Sequence, residues 1–319
     1  LKGHKLEGVQ LTGRPDHIKG FTGDRRAVDV PEAKLLGERQ LKFLKHFSAD
    51  WTGTDMKAVL SQTVFANAAH LHGGKGGRLM ADLDSNGWPQ TGRDKALDAI
   101  RRGFGVMIGG DQHLATVFHH GVDEHRDAMY SFCVPSIANL YMRWWKPEEE
   151  GANRQPGQDP IFGDHHDTFL NKVTMLAVAN PEEHPNGGDK LTTRAAGFGI
   201  VRFNKKTRKI TMECWPRNVD VAKDKPYPGW PITIDQTDNY GRKAVAHLPT
   251  LKIEGARNPV VKVIDEATGE WVYALRINGD TFQPKVFEKG TYTVDVDGKT
   301  FQGLEARMLN DPAVLKIKL

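Results

Sequence analysis

The clearest candidate for chemistry is the segment Gly110-Asp111-Gln112-His113, which follows a short apolar run that predicts a buried strand. Asp111 offers a hard carboxylate oxygen and His113 an imidazole nitrogen, and this pair suits zinc, iron or manganese better than calcium alone. Ligands of open α/β sheets collect at the carboxyl ends of strands, where this segment is expected to lie. The sequence therefore predicts Asp111 and His113 as metal ligands. A turn with a structural histidine is the alternative for an isolated Asp-x-His pattern.

A second candidate is the run Asp82-Leu83-Asp84-Ser85-Asn86-Gly87, in which acidic and amide side chains alternate. It resembles a calcium loop but lacks the downstream glutamate of an EF-hand. An Asx-rich turn before a helix is the other interpretation. As a metal ligand, Asn86 would offer its amide oxygen. Arg93, at the start of the next predicted helix, is suited to a bidentate contact with phosphate.

Histidines supply further candidates. His70 and His72 follow a predicted strand, as Asp111 does, and are therefore predicted catalytic residues of the same site. The other histidines of the central region are interpreted as exposed or capping residues: His119, His120, His125, His165 and His166. The sequence has no G-x-S-x-G elbow, no phosphate-binding P-loop and no H-E-x-x-H motif.

Composition excludes several other classes of protein. Hydrophobic residues make up 39% and charged residues 26% of the 319 residues, which is typical of a globular protein. The net charge is only +4, and no cluster of basic residues alternates with aromatic ones, so no nucleic-acid groove is predicted. No apolar run approaches the roughly 18 residues that a membrane span needs. Cys133 and Cys214 lie in apolar stretches typical of buried thiols, although a disulfide between them stays open.

Hydrophobic periodicity predicts the elements that position these residues. Helical spacing occurs over 31–51 and again from Thr91, the predicted N-cap, to Gly103. Short β-branched or apolar runs predict strands at 57–65, 105–108, 115–118, 130–134, 173–178, 199–203 and 209–215. Residues 66–86 are predicted to form a long loop and residues 146–168 a surface excursion. Together these elements predict an α/β domain over residues 1–215.

The pattern changes in the last third of the chain. Residues 216–251 are rich in Pro, Asp, Lys and Tyr and predict a linker on the surface. Beyond it, short strands separated by glycine-bearing turns predict a small antiparallel all-β sandwich over residues 252–319.

Several long stretches resemble the alkaline phosphatase D-like family of metallophosphoesterases: LLGERQLKFL, MKAVLSQTVFAN, ADLDSNGWPQTGRDKALDAI, GGDQHLATVFHHGVDE and YSFCVPSIANLY. The resemblance continues through KVTMLAVANP and GFGIVRFNKKTRKITMECWPR and covers roughly residues 31–216. It implies the C-terminal part of a calcineurin-like αββα sandwich, followed by the β module. It also implies export to the periplasm or out of the cell.

The resemblance implies hydrolysis of phosphate monoesters or diesters by a metal-activated hydroxide. The family's site binds two metal ions, which the resemblance leaves open as calcium, iron, zinc or manganese. Asp111 and His113 would be ligands, Asn86 a further ligand, and His70 or His72 would protonate the leaving group. Arg93 would contact the phosphate.

The chain departs from the family's pattern at its start, because the family's earlier ligand blocks precede the matched region. Asp16-His17 and Gly23-Asp24 lie too close together and lack flanking buried strands, so they are not expected to replace those blocks. An upstream segment or a partner chain is therefore expected to supply the remaining ligands. The segment GDHHDTFLNK also departs from the family's Gly-rich version. A non-catalytic binding or structural protein on a relic scaffold is the alternative function.

Overall fold

The computed structural model describes residues 8–14, 16–30, 32–73, 77–138, 141–182, 194–308 and 313–319. These residues are mainly β-structured. The first part of the chain contains β1 (Val9–Leu11), β2 (His17–Phe21), α1 (Glu38–Ala49), β3 (Ala58–Thr63), β4 (Leu71–His72), β5 (Gly77–Arg78), β6 (Ala81–Asp82), α2 (Gln90–Arg101), β7 (Val106–Gly110), β8 (Ala115–His120), β9 (Tyr130–Cys133), β10 (Arg143–Trp144), β11 (Gly163–His166) and β12 (Lys172–Ala179). The later part contains β13 (Gly197–Asn204), β14 (Lys209–Pro216), β15 (Ile232–Asp235), β16 (Ala246–His247), β17 (Thr250–Glu254), β18 (Val260–Asp265), β19 (Trp271–Arg276), β20 (Thr281–Phe282), β21 (Lys285–Val286), β22 (Thr291–Val296), β23 (Lys299–Glu305) and β24 (Val314–Lys318).

A six-stranded mixed sheet in the order β11-β12-β8-β9-β7-β3 forms the centre of the first part. β3, β7 and β9 run parallel to one another, and the other pairs of the sheet, including β8 with β9, are antiparallel. Successive side chains of β7 enter different cores: Val106 packs in a cluster with Met212, and Met107 packs in a cluster with Leu97. Because side chains alternate along a strand, an unbroken apolar run such as GVMI is buried on both faces.

The central sheet is covered by helices on one face and by a second sheet on the other. Leu44 of α1 and Ile100 of α2 share a core with Met107, whereas β13-β14-β15 packs through Ile210 and Met212 on the opposite side. These layers are helix, sheet and sheet. The αββα sandwich that the resemblance implies needs another helical layer outside β13-β14-β15, but both α-helices of the described residues pack on the other face. The structure therefore supports a β-rich fold, and the full αββα sandwich stays a proposal.

The β module after residue 252 packs against the first part of the chain. Its core includes Trp51 and Phe104, and the Trp51 indole N–H donates to the backbone oxygen of Ala274 at 3.0 Å. The predicted strands β18, β19 and β22 form an antiparallel sheet with β23. However, β17 and β24 pair in parallel, so the module is not wholly antiparallel as predicted. The segment 216–251 contributes β15 to the second sheet, and the proposed domain boundaries stay a prediction.

Two small sheets of the structure were not expected from the sequence. One has the order β1-β2-β6 and the other β10-β4-β5. They contain parts of the first 30 residues and of the predicted loop 66–86. Because β2 pairs with β6, and β4 with β10, polar side chains from distant parts of the chain are brought side by side.

Local predictions were wrong at two further places. Thr91 is not the N-cap of α2, which begins after Pro89; the Thr91 hydroxyl instead hydrogen-bonds to the Asp29 carboxylate. The excursion 146–168 contains β11, which forms one edge of the central sheet and buries Asp164 and His165.

Cys133 and Cys214 are both buried free thiols, so the open question of a disulfide is answered against it. Burial raises the pKa of Cys133 to about 12 and also raises that of Cys214. Thiol chemistry at neutral pH is therefore not expected of either residue. Among the residues that the structure describes, no helix is long and apolar enough to cross a membrane.

Candidate functional site

The loop after β7 is held in an uncommon backbone conformation. Asp111 and His113 have φ angles of 64° and 52°, in the left-handed region. Between them the buried Gln112 donates from Nε2 to Thr63 Oγ1 at the end of β3, over 3.1 Å. Such conformations cluster at functional sites because the surrounding contacts must hold them. The anchored glutamine leaves Asp111 exposed and His113 half-buried.

Two of the predicted histidines meet at one tyrosine. The ring centroid of Tyr141 lies 6.0 Å from that of His113 and 6.3 Å from that of His72. His113 Nδ1 is 3.2 Å from the Tyr141 carbonyl oxygen, which only accepts, so Nδ1 donates and Nε2 keeps the lone pair of the neutral ring. Burial, followed by the charge of Arg143, lowers the pKa of His113. The ring is therefore neutral at neutral pH, as a metal ligand must be.

A tighter group forms between β2 and β6. His17 lies opposite Asp82 in this antiparallel pair, and Asp16 precedes His17. One ligand atom from each of the three side chains lies within 4.8 Å of the other two. Asp82 is buried, and Asp16 and His17 are half-buried. We call these three residues the Asp-His-Asp triad; within the described ranges no other three His, Cys, Asp or Glu side chains meet in this way.

Charged groups connect the Asp-His-Asp triad with the Asp111 loop. Arg143 Nη1 lies 3.4 Å from Asp82 Oδ2, and Arg143 Nε has no hydrogen-bond partner among the described residues. Burial and the negative charges of Asp82, Asp16 and Asp111 raise the pKa of Asp84. Asp84 is therefore within electrostatic reach of both the triad and Asp111.

His72 lies next to the triad, with its ring centroid 6.0 Å from that of His17. Its Nε2 is 3.3 Å from the Ala69 carbonyl oxygen, so Nε2 carries the hydrogen and Nδ1 the lone pair. Nδ1 is buried and has no hydrogen-bond partner in the described part of the chain. Burial, the largest cause, lowers the pKa of His72 to about 4. At neutral pH the residue can therefore accept a proton or bind a cation.

Two predicted site residues lie away from this group. His70 is stacked on Trp145 with ring centroids 4.7 Å apart, and its Nδ1 accepts from the Lys146 backbone N–H at 3.2 Å. It lines a cavity of about 550 Å³, whose lining does not include the triad. Asn86 lines another cavity of about 320 Å³, and its Nδ2 donates to Ser61 Oγ at 3.4 Å. The structure does not bring either residue to the triad.

Arg93 is occupied by the protein's own groups. Its side chain is only 1% exposed, and it donates to the carbonyl oxygens of Phe65 and Gly121 at 2.9 and 2.8 Å. It also pairs with Asp94 at 2.7 Å. A guanidinium used in this way joins α2 to the central sheet, and its contact with phosphate stays a prediction. Arg143 is the cation that borders the candidate site.

The site residues that sequence reasoning missed are Asp16, His17, Asp82 and Arg143. Asp16 and His17 were rejected because they lie close to Gly23-Asp24 and because no flanking buried strand was recognised; the structure places His17 in β2, where Ile18 is fully buried. Asp82 stood in the alternating acidic run, whose interpretation as an Asx turn is partly correct: its Oδ1 accepts from the Asp84 backbone N–H at 2.9 Å. Arg143 carried no recognisable signal in the sequence.

The donor set of the triad fits one divalent cation. Two carboxylates and one imidazole suit zinc, iron or manganese. The backbone N–H on Asp82 Oδ1 orients this carboxylate as outer-shell contacts do in metal sites. Its remaining lone pairs are shared with Arg143, so the cation and the guanidinium would both act on the same carboxylate.

Comparisons with known proteins give remote likenesses only. No family model matches the chain, and no curated protein matches it. The structure described as "Structure of PhoD" is similar at 9% identity and a TM-score of 0.36, covering 95% of this chain and 41% of that chain. The group B streptococcus pilus 2b backbone protein is similar at 9% identity and a TM-score of 0.16, covering 66% of this chain and 78% of that chain. This chain thus spans less than half the length of the PhoD chain, and neither likeness is close enough to carry an argument about function.

Proposed function

We propose that this chain takes part in metal-dependent hydrolysis of phosphate esters, as a member of the alkaline phosphatase D-like group. The observation that carries the proposal is the Asp-His-Asp triad, whose ligand atoms converge beside His72 and Arg143. The resemblance quoted above supports the same chemistry. For the αββα sandwich and for export of the protein, this sequence resemblance is the only support.

Asp16, His17 and Asp82 would hold a zinc, iron or manganese ion. Bound there, the ion would polarise a phosphoryl oxygen. Asp111 and His113 would bind a second metal ion, as the resemblance implies. This ion would lie on the side of the triad where Asp84 is found. The remaining ligands of that ion are expected from an upstream segment or a partner chain.

Arg143 takes the phosphate-binding role first expected for Arg93. Its guanidinium lies beside the triad and its side chain is partly exposed, so it would donate to an anionic substrate there. The planar guanidinium of Arg143 would orient the phosphate through paired hydrogen bonds and neutralise part of the phosphate's charge.

His72 is assigned to accept a proton from the attacking water. The sequence predicted that this histidine protonates the leaving group, but a residue with a pKa of about 4 is unprotonated at neutral pH. The lone pair on its buried Nδ1 is therefore the group that would take up the proton, which the ring would hold only weakly.

The proposal is tested by metal analysis and by hydrolysis of bis(4-nitrophenyl) phosphate and 4-nitrophenyl phosphate with added Zn²⁺ or Mn²⁺. We expect the purified chain to retain at least one equivalent of metal and Asp82→Asn to lose it together with hydrolysis. Glu38→Gln is the matched control, because the Glu38 side chain is 93% exposed and pairs with Lys34. If the unaltered chain retains no metal and hydrolyses neither ester, the non-catalytic alternative takes its place.

A further inference from the structure

Tyr141 is an aromatic residue of the candidate site that remains exposed. Its side chain is 47% exposed, whereas Trp144 and Trp145, which follow it in the chain, are buried. The indole N–H groups of these tryptophans donate to the backbone oxygens of Pro181 and Ile161, at 2.8 and 2.7 Å, which ties both side chains to the protein. A single exposed aromatic residue is common in proteins, so the surroundings of Tyr141 have to decide whether it has a function.

Backbone contacts with two separate segments fix the position of Tyr141. Its carbonyl oxygen accepts from His113 Nδ1, in the loop after β7, at 3.2 Å. The carbonyl oxygen of the next residue, Met142, accepts from the N–H of Gly73 at 2.9 Å, just after β4. Gly73 has a φ of 72°, and a Cβ atom there would lie 3.3 Å from the Tyr141 hydroxyl oxygen. The tyrosine therefore lies between the Asp111 loop and the end of β4, where a glycine leaves room for its hydroxyl group.

Arg143 connects the tyrosine ring with the triad. The Cζ atom of Arg143 lies over the Tyr141 ring, 5.9 Å from its centroid. This distance is within the range of a cation–π contact. Nη1 of the same guanidinium is 3.4 Å from Asp82 Oδ2. The exposed ring is therefore next to the arginine that is proposed to bind phosphate.

The distance between ring and guanidinium suits a phosphate that carries an aromatic substituent. Two aromatic rings stack or meet edge to face with their centroids about 4.5–7 Å apart. In an aryl ester a single oxygen atom joins the ring to phosphorus. A phosphate hydrogen-bonded to Arg143 can therefore place such a ring on the exposed part of Tyr141. A methyl group in the same position has no π-face and covers less of the tyrosine.

Contacts with two histidines give Tyr141 a second role to be separated from the first. Its ring centroid lies 6.3 Å from that of His72 and 6.0 Å from that of His113, and both contacts are edge to face. Support of the histidines alone would affect every ligand of the site equally. Stacking on the exposed ring would affect only ligands that carry a flat group. A comparison of two ligands therefore distinguishes the two roles.

We propose that Tyr141 is a specificity-determining residue, which favours phosphate esters that carry an aryl group or another flat ring over those that carry only alkyl groups. The inference rests on the proposed function, since it takes Arg143 as the group that binds phosphate. It adds the class of substituent that the site prefers. Tyr141 contacts this substituent and takes no part in the bonds that form or break at phosphorus.

Phenylphosphonate and methylphosphonate test the proposal, because they present the same phosphonate group and contain no ester bond to hydrolyse. Their dissociation constants are measured by calorimetry on the full-length chain with added Zn²⁺. We expect phenylphosphonate to bind at least about fivefold more tightly, as for a base that stacks on an aromatic side chain. Tyr141→Leu should lower this ratio and leave the affinity for methylphosphonate unchanged, whereas Tyr141→Phe should keep the ratio. Phe43→Leu is the matched control, because Phe43 is an exposed aromatic residue of α1.

The outcomes separate this inference from the proposed function. If the unaltered chain binds both phosphonates equally or binds neither, or if Tyr141→Leu weakens both by the same factor, the proposal is wrong even where bis(4-nitrophenyl) phosphate is hydrolysed. Preference for phenylphosphonate that depends on Tyr141 would uphold the proposal even where neither nitrophenyl ester is hydrolysed. Arg143→Gln should weaken both phosphonates alike. Unchanged affinities in that variant would show that Tyr141 does not act beside a phosphate held by Arg143, which also overturns the proposal.

Discussion

His17 and Asp82 lie directly opposite each other across the β2–β6 pair, although they are far apart in the sequence. Their pairing places an imidazole beside a buried carboxylate, and Asp16 completes a set of ligand atoms within 4.8 Å of one another. The strand pair therefore determines the geometry of the candidate site. Any cation held there would link the start of the chain to the segment that precedes α2.

Replacement of His17 tests that link. His17→Ala removes the only imidazole of the triad, so we expect zinc or manganese affinity to fall by at least roughly tenfold, as for loss of contacts in other metal sites. Bound metal should also raise the melting temperature of the unaltered chain, since it binds only the folded state. His46→Ala is the matched control, because its side chain is 77% exposed. Equal metal affinity in His17→Ala would exclude His17 as a ligand.

Arg143→Gln tests the proposed contact with the substrate. A hydrogen bond to a charged group contributes about 1.5–3 kcal/mol, so we expect KM for bis(4-nitrophenyl) phosphate to rise roughly ten- to a hundredfold. The metal content should stay unchanged, because Asp82 keeps its backbone partner Asp84. Loss of metal with an unchanged KM would instead show that Arg143 only supports Asp82. Arg39→Gln, on the exposed side of α1, is the control.

The strands of the central sheet could be predicted because their signal is local. The runs 57–65, 105–108 and 115–118 are apolar or β-branched over the length of a strand, and β3, β7 and β8 overlap them. The hairpin of β13 and β14 also follows its turn as predicted. Gly103 was also predicted to end α2. A side chain does not fit there, because a Cβ atom would lie 2.6 Å from Ser48 Cα. The strands and the hairpin depend on neighbours in the sequence, whereas the close approach at Gly103 is to α1.

The candidate site could not be predicted in the same way, because it depends on pairing between distant short strands. β4, β6 and β10 have two residues each and no periodicity that a sequence could reveal. The sequence placed His70 and His72 together, yet one stacks on Trp145 and the other contacts Tyr141. Arg93 was expected to be available for phosphate, but its burial follows from carbonyl groups of the central sheet that no local pattern shows.

Arg93→Met tests whether this arginine is structural. The change leaves the carbonyl oxygens of Phe65 and Gly121 buried without their donor, at a cost of about 1–3 kcal/mol each. We expect the free energy of unfolding, measured with urea, to fall by several times the effect of Arg39→Met, which is exposed and should stay within about 0.5 kcal/mol of the unaltered chain. Ester hydrolysis per folded molecule should keep its KM. A higher KM with unchanged stability would restore the phosphate-binding role.

Buried histidines make the stability of the fold depend on pH. Burial, the largest cause in each case, lowers the pKa of His70 and His119 to about 4. The unfolded chain has its histidines near pKa 6.5, so between about pH 6.5 and pH 4 it binds more protons than the folded chain. The free energy of unfolding is therefore highest above about pH 6.5 and falls as the pH falls through this window. Each buried imidazole contributes on the order of 3 kcal/mol to this loss.

His119→Phe tests this dependence on pH. His119 is stacked on Tyr130 with ring centroids 4.0 Å apart, and phenylalanine keeps that stacking while removing the titrating group. Its Nε2 lies 3.2 Å from the Ala128 oxygen, and losing this hydrogen bond lowers stability equally at pH 7 and pH 5. The variant should therefore be less stable at pH 7 but lose less stability than the unaltered chain between pH 6.5 and pH 4. Urea midpoints measured across this range give both quantities, with His46→Ala as the exposed control. If the free energy of unfolding falls equally in all three proteins between pH 6.5 and pH 4, His119 has the same pKa in the folded and unfolded chains. It is then not the cause of the acid sensitivity.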